Sequence, residues 1–532
     1  MRNFELPGRS CVHATEGMAA TSHPLATLAA LDVLRSGGNA MDAAVAACAV
    51  QCVVEPQSTG IGGDCFVLYA PRGGGEIVAF NGSGRAPAAA ETGWYRANGI
   101  DEIVPHSPHA VTVPGAIDAW DQLLRDHGTR ELGELLEPAI RHAREGYPIP
   151  ARVHRDWSSA PVMALLKQDP NARRIFLPDG KAPGLGKLHR QPELAATLER
   201  IAKEGRDGFY LGPVAEDIVS YLRAQGGLHS LEDFAEHRGE YVTPIKTRYR
   251  GREIYECPPN GQGVAALQML NILSGLMPDI DDPLSAERLH FAVEAARLGY
   301  NDRDHYVTDP DQVEVPVERL LSESYAEELR ARIDPARRMA ELPARRIPVH
   351  ADTVYLCVVD RDRNAVSFIN SLFHSFGSGY VAPKTGIVLQ NRGESFSTDP
   401  DDANCIAPRK RPLHTIIPGM VVKDGRAVMP FGVMGGMYQA MGHAWFLANL
   451  YDFGLDPQEA LDLPRVFAMP HGPVHVESGV PKSAVEGLIA RGHETAPPPK
   501  PIGGGQAIVI DWDEGVLTGA SEPRKDGCAL GY

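Results

Sequence analysis

The apolar positions of the first hundred residues change their period twice. In HPLATLAALDVLRSGG, Leu25, Leu28, Leu31 and Leu34 recur every three residues, which predicts a helix with a leucine stripe. Gly37 and Gly38 end it, and Asn39 is placed to cap a second helix with Asp42 in its first turn. That helix, Ala40 to about Val54, is apolar on nearly every side and is expected to be buried. STGIGGDCFVLYA then reads as a glycine turn leading into a strand. A phosphate loop would need a Gly-Lys-Ser/Thr ending, or glycines between a strand and a helix. Here the order is helix, glycines, strand, so GIGG reads as a tight turn with close backbone packing.

From about residue 110 to 335 the pattern is mainly helical, with amphipathic runs at 134–145, 192–204 and 285–300 and Pro/Gly clusters such as 257–263 between them. PARRMAELPARRIPVHAD, residues 335–352, carries no period and reads as an exposed, mobile segment. Beyond it come short strands and glycine turns, with strands expected over 353–360, 365–371, 386–390, 415–422 and 427–429. A helix is expected over about 437–451 after GVMGG, and a closing strand over 506–511. No internal repeat is evident.

Composition narrows the class. A chain of 532 residues can bury a large core, and its length alone suggests several domains. Hydrophobic content of 43% and charged content of 23% are those of an ordinary soluble protein. The net charge of −16 argues against a nucleic-acid or anionic-membrane partner, although a local cationic pocket is compatible with it. No apolar signal region opens the chain and no run of about 18 apolar residues occurs, so neither secretion nor a membrane span is expected. The eight cysteines are scattered without a CxxC pair, and Cys48 and Cys52 read as core packing. A cytoplasmic location follows as the expectation.

The most informative stretch is HADTVYLCVVDRDRNAVSFINSLFHSFGSGY, starting at His350. TVYLCVVD and AVSFINS alternate and are rich in β-formers, with 361–364 as the turn. If Asp360 pairs with Ala365, Thr353 lies opposite Leu372 and beside Ser371, and a bulge would shift this by one. A strand fed by a floppy linker makes sense if the chain is cut at Asp352–Thr353. A threonine exposed as a new N-terminus carries its own base, because an α-amine with an unperturbed pKa of about 7.7–8.0 can take the hydroxyl proton. The same hydroxyl, attacking the preceding carbonyl, would give an ester that water hydrolyses. A threonine opening a strand is otherwise ordinary.

The chain resembles the γ-glutamyltransferase superfamily of N-terminal nucleophile hydrolases in GGNAMDAAVAACAVQCVVEPQSTGIGGDCFVLY, AVTVPGAIDAW, LLEPAIRHAREGYPI, GFYLGPVAEDIV, PPNGQGVAALQMLNIL and TVYLCVVDRDRNAVSF, in the family's order from about residue 20 to the C-terminus. The resemblance implies an α+β fold, an αββα sandwich made as one precursor and cleaved into a large subunit, 1–352, and a small subunit, 353–532, which together form one composite domain. Thr353 falls at the family's nucleophile and Ser371 at its second threonine. Gly435 and Gly436 fall at the glycine pair whose amides form the oxyanion hole.

Departures from the γ-glutamyl enzymes point to the substrate. Ser83 replaces the arginine that binds the glutamyl α-carboxylate, and Arg85 either substitutes for it or faces away. Phe373 replaces an asparagine, Arg392 and Ser395 replace the glutamine and aspartate that hold the α-ammonium, and His414 and Thr415 replace a serine pair. Removing an anion and adding a guanidinium favours a carboxylate over an ammonium. This resembles the branch that includes oxamate amidohydrolase, and implies an amidohydrolase acting on a small carboxylate-bearing amide. Arg392 in a structural salt bridge, and His414 as a packed polar residue, a pocket donor or a substrate contact, stay open. The competing readings are γ-glutamyl hydrolysis or transfer with glutathione as donor, and an uncleaved binding protein without activity. No cofactor or metal is called for. His475 and Glu477 alternate in HVES and read as surface residues. Assembly into a homo-oligomer stays open.

Overall fold

Asn39 accepts from the amides of Met41 and Asp42, and Asp42 accepts from the Asn39 amide, closing a capping box ahead of the helix Ala40–Val54. All of that helix is buried in the computed structural model, which describes residues 8–276, 280–343, 352–469 and 472–532. The preceding helix, Pro24–Arg35, does not bury its leucines as a stripe. Leu28 is 51% exposed, while Ala26, Ala29, Ala30 and Leu34 face inward. A strict three-residue repeat falls back about 60° per step at 3.6 residues per turn, so the leucines wind around the cylinder. The alanine face meets the buried helix instead.

Two seven-stranded antiparallel sheets form the centre. One runs Val12–Ala14, Leu517–Ser521, Gly504–Ile510, Arg426–Met434, Gly419–Lys423, Arg252–Glu256, Ile245–Tyr249. The other runs Cys528–Gly531, Met18–Thr21, Val354–Val359, Ala365–Ser371, Asp64–Ala70, Val78–Gly82, Glu240–Val242. Strand alternation sorts the core into layers. Leu356 and Val358 join the helical core on one side, whereas Tyr355, Cys357 and Val359 join the apolar layer between the sheets. On the far side, Val421, Met429, Phe431 and Val433 pack against the helices Gly263–Ser274, Ala286–Tyr306 and Tyr438–Tyr451. Helix, sheet, sheet, helix is the αββα order expected.

Several expectations need correction. The stretch read as helical contains the strands Glu240–Val242, Ile245–Tyr249 and Arg252–Glu256. The last two form a hairpin at a sheet edge, where charged residues alternate outward. Its turn, Arg250–Gly251, takes φ of 46° and 75°, a pair of left-handed positions usually signalled by Asn-Gly. No strand spans 386–390, where only single bridges form from Val388 and Leu389. The strand expected over 415–422 covers Gly419–Lys423, and Gly504–Ile510 does not close the chain, since two strands follow it.

Within the patternless segment, residues 335–343 are mostly exposed yet anchored. The Arg338 amide donates to Arg491 O (2.7 Å), the Met339 amide to Glu294 (2.8 Å), and Arg297 holds Met339 O and Ala340 O at 3.1 and 3.0 Å. Residues 344–351 of that segment lie outside the described residues, and Asp352, which ends it, is buried and not exposed. GIGG is the tight turn expected, since a Cβ on Gly62 or Gly63 would lie 2.2 Å from Val388 O or Ser371 O. Among the described residues no helix is long and apolar enough to cross a membrane.

Candidate active site

The hairpin turn decides what faces Thr353. Asp360 lies in the turn, its carboxylate accepting from the amides of Asp362 and Asn364 at 3.0 and 2.9 Å. Pairing therefore starts at Val359 with Ala365 and ends at Val354 with Asn370, one residue from the expected register. Continued by one rung, it sets Thr353 opposite Ser371 and not Leu372. Thr353 Oγ1 lies 3.1 Å from Ser371 Oγ. The Thr353 hydroxyl donates to Asp352 O, leaving the Ser371 hydroxyl to donate to Thr353 Oγ1. Ser371 Oγ also accepts from the Phe373 amide at 3.0 Å.

Asp352 is buried on the other side of this peptide bond. Its carboxylate accepts from Lys500 Nζ at 2.7 Å and from the Ser375 hydroxyl. Burial alone would raise its pKa, but Lys500 and Lys525 outweigh burial and hold the carboxyl below its ordinary range.

Arg392 forms the neighbouring wall. It is fully buried, stacks its guanidinium 4.0 Å from the Phe373 ring centroid, and donates through one nitrogen to Thr415 Oγ1 at 2.8 Å. Its Nε and remaining terminal nitrogen have no partner. Burial pulls the guanidinium's pKa down, while Asp64 and Glu394 oppose that shift. Phe373 sits at φ 81°, a left-handed position that a bulky side chain rarely takes.

Thr415 leads on to the glycine pair. Gln262 Nε2 donates both to Thr415 O at 2.6 Å and to Gly436 O at 3.0 Å. Gly435 and Gly436, with φ of 130° and 61°, make the turn between Arg426–Met434 and the helix Tyr438–Tyr451, and a Cβ on Gly435 would lie 2.8 Å from Gly503 Cα. Thr353, Ser371, Phe373, Arg392, Thr415 and the glycine turn are thus joined through successive contacts.

Three of the candidate residues are engaged by the protein itself. His414 is fully buried, with Nε2 donating to Asp64 at 3.0 Å and Nδ1 accepting from the Ile416 amide at 3.3 Å. Burial, then Arg392, pushes its pKa down to about 3, so the ring is neutral and both nitrogens are spent on the protein. In this structure His414 packs as a polar strut, the packed-residue reading among its three alternatives. Ser395 donates toward the carbonyls of Arg392 and Leu413, both at 2.9 Å, and so shapes the turn Arg392–Ser395 instead of lining a pocket. Arg85 is held by Asp309 (3.3 Å), Asp311 (3.0 Å) and Arg409 O (3.1 Å), beside a separate cavity of about 610 Å³ bordered by Glu240 and Arg238. It faces away. Ser83, where the arginine would stand, donates to Asn81 at 2.7 Å.

Glu477 is not a surface residue. It is paired with Arg524 at 2.6 Å and is only 12% exposed, with His475 half-buried nearby. Metal-ligand types do converge elsewhere, in buried His290, Glu294 and His493, but their bonds are internal. His290 meets His493 at 2.8 Å, and Glu294 accepts from Arg297 and the Met339 amide.

Sequence reasoning missed four participants. Asp64, register partner of Ser371, gathers the amides of Gly84 and Gly115, Gln390 and His414 at 2.9–3.2 Å. Its signal was an acid placed directly before an apolar strand. Ser375 lies in the loop that follows Ser371. Glu394, raised to about 8 by burial and Glu102 against the pull of Arg392, stands next to an arginine that was singled out. Lys500, in a proline-rich run 148 residues from Asp352, carries no local signal.

The family described as Gamma-glutamyltranspeptidase matches residues 26–532. The chain is 38% identical to a glutathione hydrolase-like YwrD proenzyme of Bacillus subtilis, over 98% of this chain and 99% of that one. It is 36% identical to an oxamate amidohydrolase proenzyme of Klebsiella pneumoniae, with the same coverage. The structure superposes on a cephalosporin acylase from Bacillus halodurans with a TM-score of 0.93 at 40% identity, covering 100% of this chain and 99% of the other.

Proposed function

The chain belongs to the gamma-glutamyltranspeptidase family of N-terminal nucleophile hydrolases, and from that premise we propose a self-processing amidohydrolase for small amides whose acyl part carries a carboxylate. Thr353 is the nucleophile. Cleavage of Asp352–Thr353 frees its α-amine, which takes the hydroxyl proton as Oγ1 attacks the substrate carbonyl. Ser371 orients Oγ1 by its hydrogen bond, and the amides of Gly435 and Gly436 receive the oxyanion. The amine leaves with the proton, and water, deprotonated by the same α-amine, hydrolyses the ester.

One observation carries the substrate class. Arg392 is a fully buried guanidinium with two donors left unpartnered. Leaving such donors unmet is costly, and a carboxylate meets two of them in parallel. Thr415 and Phe373 hold the guanidinium in place, and Asp64, the register partner of Ser371, already accepts four hydrogen bonds from the protein.

The test is turnover on cleaved protein of oxamate, glutathione and a γ-glutamyl anilide, with ammonia or amine release as readout. Oxamate or a related carboxylate amide is expected to have the highest kcat/KM. Preference for glutathione would replace this reading with γ-glutamyl hydrolysis or transfer, and the name of the Bacillus subtilis relative, glutathione hydrolase-like, points that way.

A further inference from the structure

In the intact chain, the residue preceding the nucleophile is itself an acyl group in place. When Thr353 Oγ1 attacks the Asp352 carbonyl carbon, a C–O bond forms, the C–N bond breaks, and the nitrogen gains the hydroxyl's proton. The resulting ester is chemically an acyl-enzyme on the same oxygen that a substrate would acylate. Its acyl group is an aspartyl unit, so its carboxylate carbon lies three bonds from the attacked carbon. That carboxylate is received by Lys500 Nζ at 2.7 Å and by the Ser375 hydroxyl. Asp352 is 3% exposed and the Lys500 side chain 36% exposed, so the receptor joins the buried site to solvent.

Hydrolysis of the ester releases Asp352 with the large subunit and leaves an ammonium and a hydroxyl facing the acyl position. Lys525 adds positive potential there, and His374, neutral because burial and then Arg392 and Lys500 outweigh the pull of Asp352, adds none. Arg392 is a different receptor. Its free donors are unfilled while the Asp352 carboxylate rests on Lys500.

We infer that Lys500 and Ser375 form a second carboxylate receptor, which Asp352 fills before cleavage and which afterwards selects acyl groups with a carboxylate three bonds from the scissile carbon, the monoamides of four-carbon dicarboxylic acids. The inference rests on Thr353 being the nucleophile, but not on Arg392 receiving a carboxylate. The bond count sets the chain length. A malonyl group is one carbon short, a glutaryl group one carbon long, and a butyryl group lacks the charge.

The experiment measures kcat/KM of cleaved wild-type protein on malonyl, succinyl, glutaryl and butyryl 4-nitroanilides. The succinyl compound is expected to lead, with at least a tenfold advantage over butyryl. Lys500→Met should lower the succinyl-to-butyryl ratio by about 10- to 100-fold, the loss of one charge-assisted bond. Because Lys500→Met can also hinder cleavage, wild-type inhibition by free succinate and free butyrate gives an independent reading. Succinate competing at least tenfold more tightly supports the receptor, and equal inhibition overturns it. A flat acyl series, or an unchanged ratio in Lys500→Met, also overturns it. Oxamate turnover with a flat series would sink this inference alone, whereas a succinyl preference that Arg392→Gln leaves unchanged would sink the Arg392 reading alone.

Discussion

Thr353 Oγ1 and Ser371 Oγ stand 3.1 Å apart across the open end of a β-hairpin, and the Thr353 hydroxyl already donates to the carbonyl it would attack. Ser371 closes its strand and Thr353 directly precedes its own, so the pair sits at the end of the central ladder.

Processing follows from that arrangement. Purified protein is expected to resolve into two bands on a denaturing gel, the smaller beginning Thr-Val-Tyr-Leu. Thr353→Ala should remain one chain. A wild type that stays intact while turning over substrate would show that the free α-amine is not the base.

Ser371→Ala should fold and process yet lose about 10- to 1,000-fold in kcat, the range for one positioned hydrogen bond at a nucleophile or oxyanion. Since Ser371 Oγ also accepts from the Phe373 amide, a share of the loss should come through the neighbouring wall and show in KM. Ser371→Thr keeps the hydroxyl and should restore most of the rate.

Phe373 offers a test of stored strain. Its φ of 81° costs a residue with a Cβ roughly 1–2 kcal/mol. Glycine is normally about 0.5–1 kcal/mol less favourable than alanine. Here the order should invert, with Phe373→Gly more stable than Phe373→Ala by about 1 kcal/mol in urea unfolding. The comparison is cleanest on the uncleaved Thr353→Ala background, where one chain unfolds. A glycine variant less stable than the alanine one would mean that the backbone relaxes when the ring is removed.

The layered fold was legible because its signals are local. A capped helix apolar on all sides and two alternating strands around a short turn depend on neighbours in sequence. The hairpin register departs by one from that expected because Asp360 spends its carboxylate on its own turn, which alternation does not reveal. In the site, residues on or next to the hairpin could be read, and those whose role depends on long-range burial could not. The sequence leaves His414 open between donor, substrate contact and packed residue, because its hydrogen bond to Asp64 spans 350 positions. Arg85 looked like a spare cation until three carboxylates closed around it. Lys500 could be found only in three dimensions.

Arg392→Gln restores a neutral residue that keeps a donor but loses the charge and the two-pronged geometry. Activity on small carboxylate amides should fall about tenfold to a few hundredfold in kcat/KM, the cost of a charge-assisted bond of roughly 1.5–3 kcal/mol. Glutathione turnover should not improve much, because Ser83 and Phe373 stay as they are. Unchanged turnover of carboxylate amides would remove Arg392 from substrate binding.

The charge of Arg392 is itself set against Glu394, and that pair predicts a pH dependence. Burial, then Glu102, raises the Glu394 carboxyl to about 8 although Arg392 pulls it down, and His374 beside it is neutral, its pKa brought to about 4 mainly by burial. A carboxyl that holds its proton more tightly when folded contributes stability that is complete below its unfolded pKa of about 4.5 and is lost as pH rises through about 8. Glu394→Gln removes that loss. Its stability advantage over the parent, both on the Thr353→Ala background, should therefore grow between pH 5 and 8.5 by on the order of a few kcal/mol. Kinetically, the Glu394 anion that appears above pH 8 competes with substrate for Arg392, so wild-type KM for a carboxylate amide should climb at lower pH than that of Glu394→Gln, whose rise waits for Arg392 itself, lowered to about 9 by burial. kcat follows the Thr353 amine instead and should rise through its pKa in both proteins. Parallel KM profiles in the two proteins would show that Glu394 does not share Arg392 with the substrate.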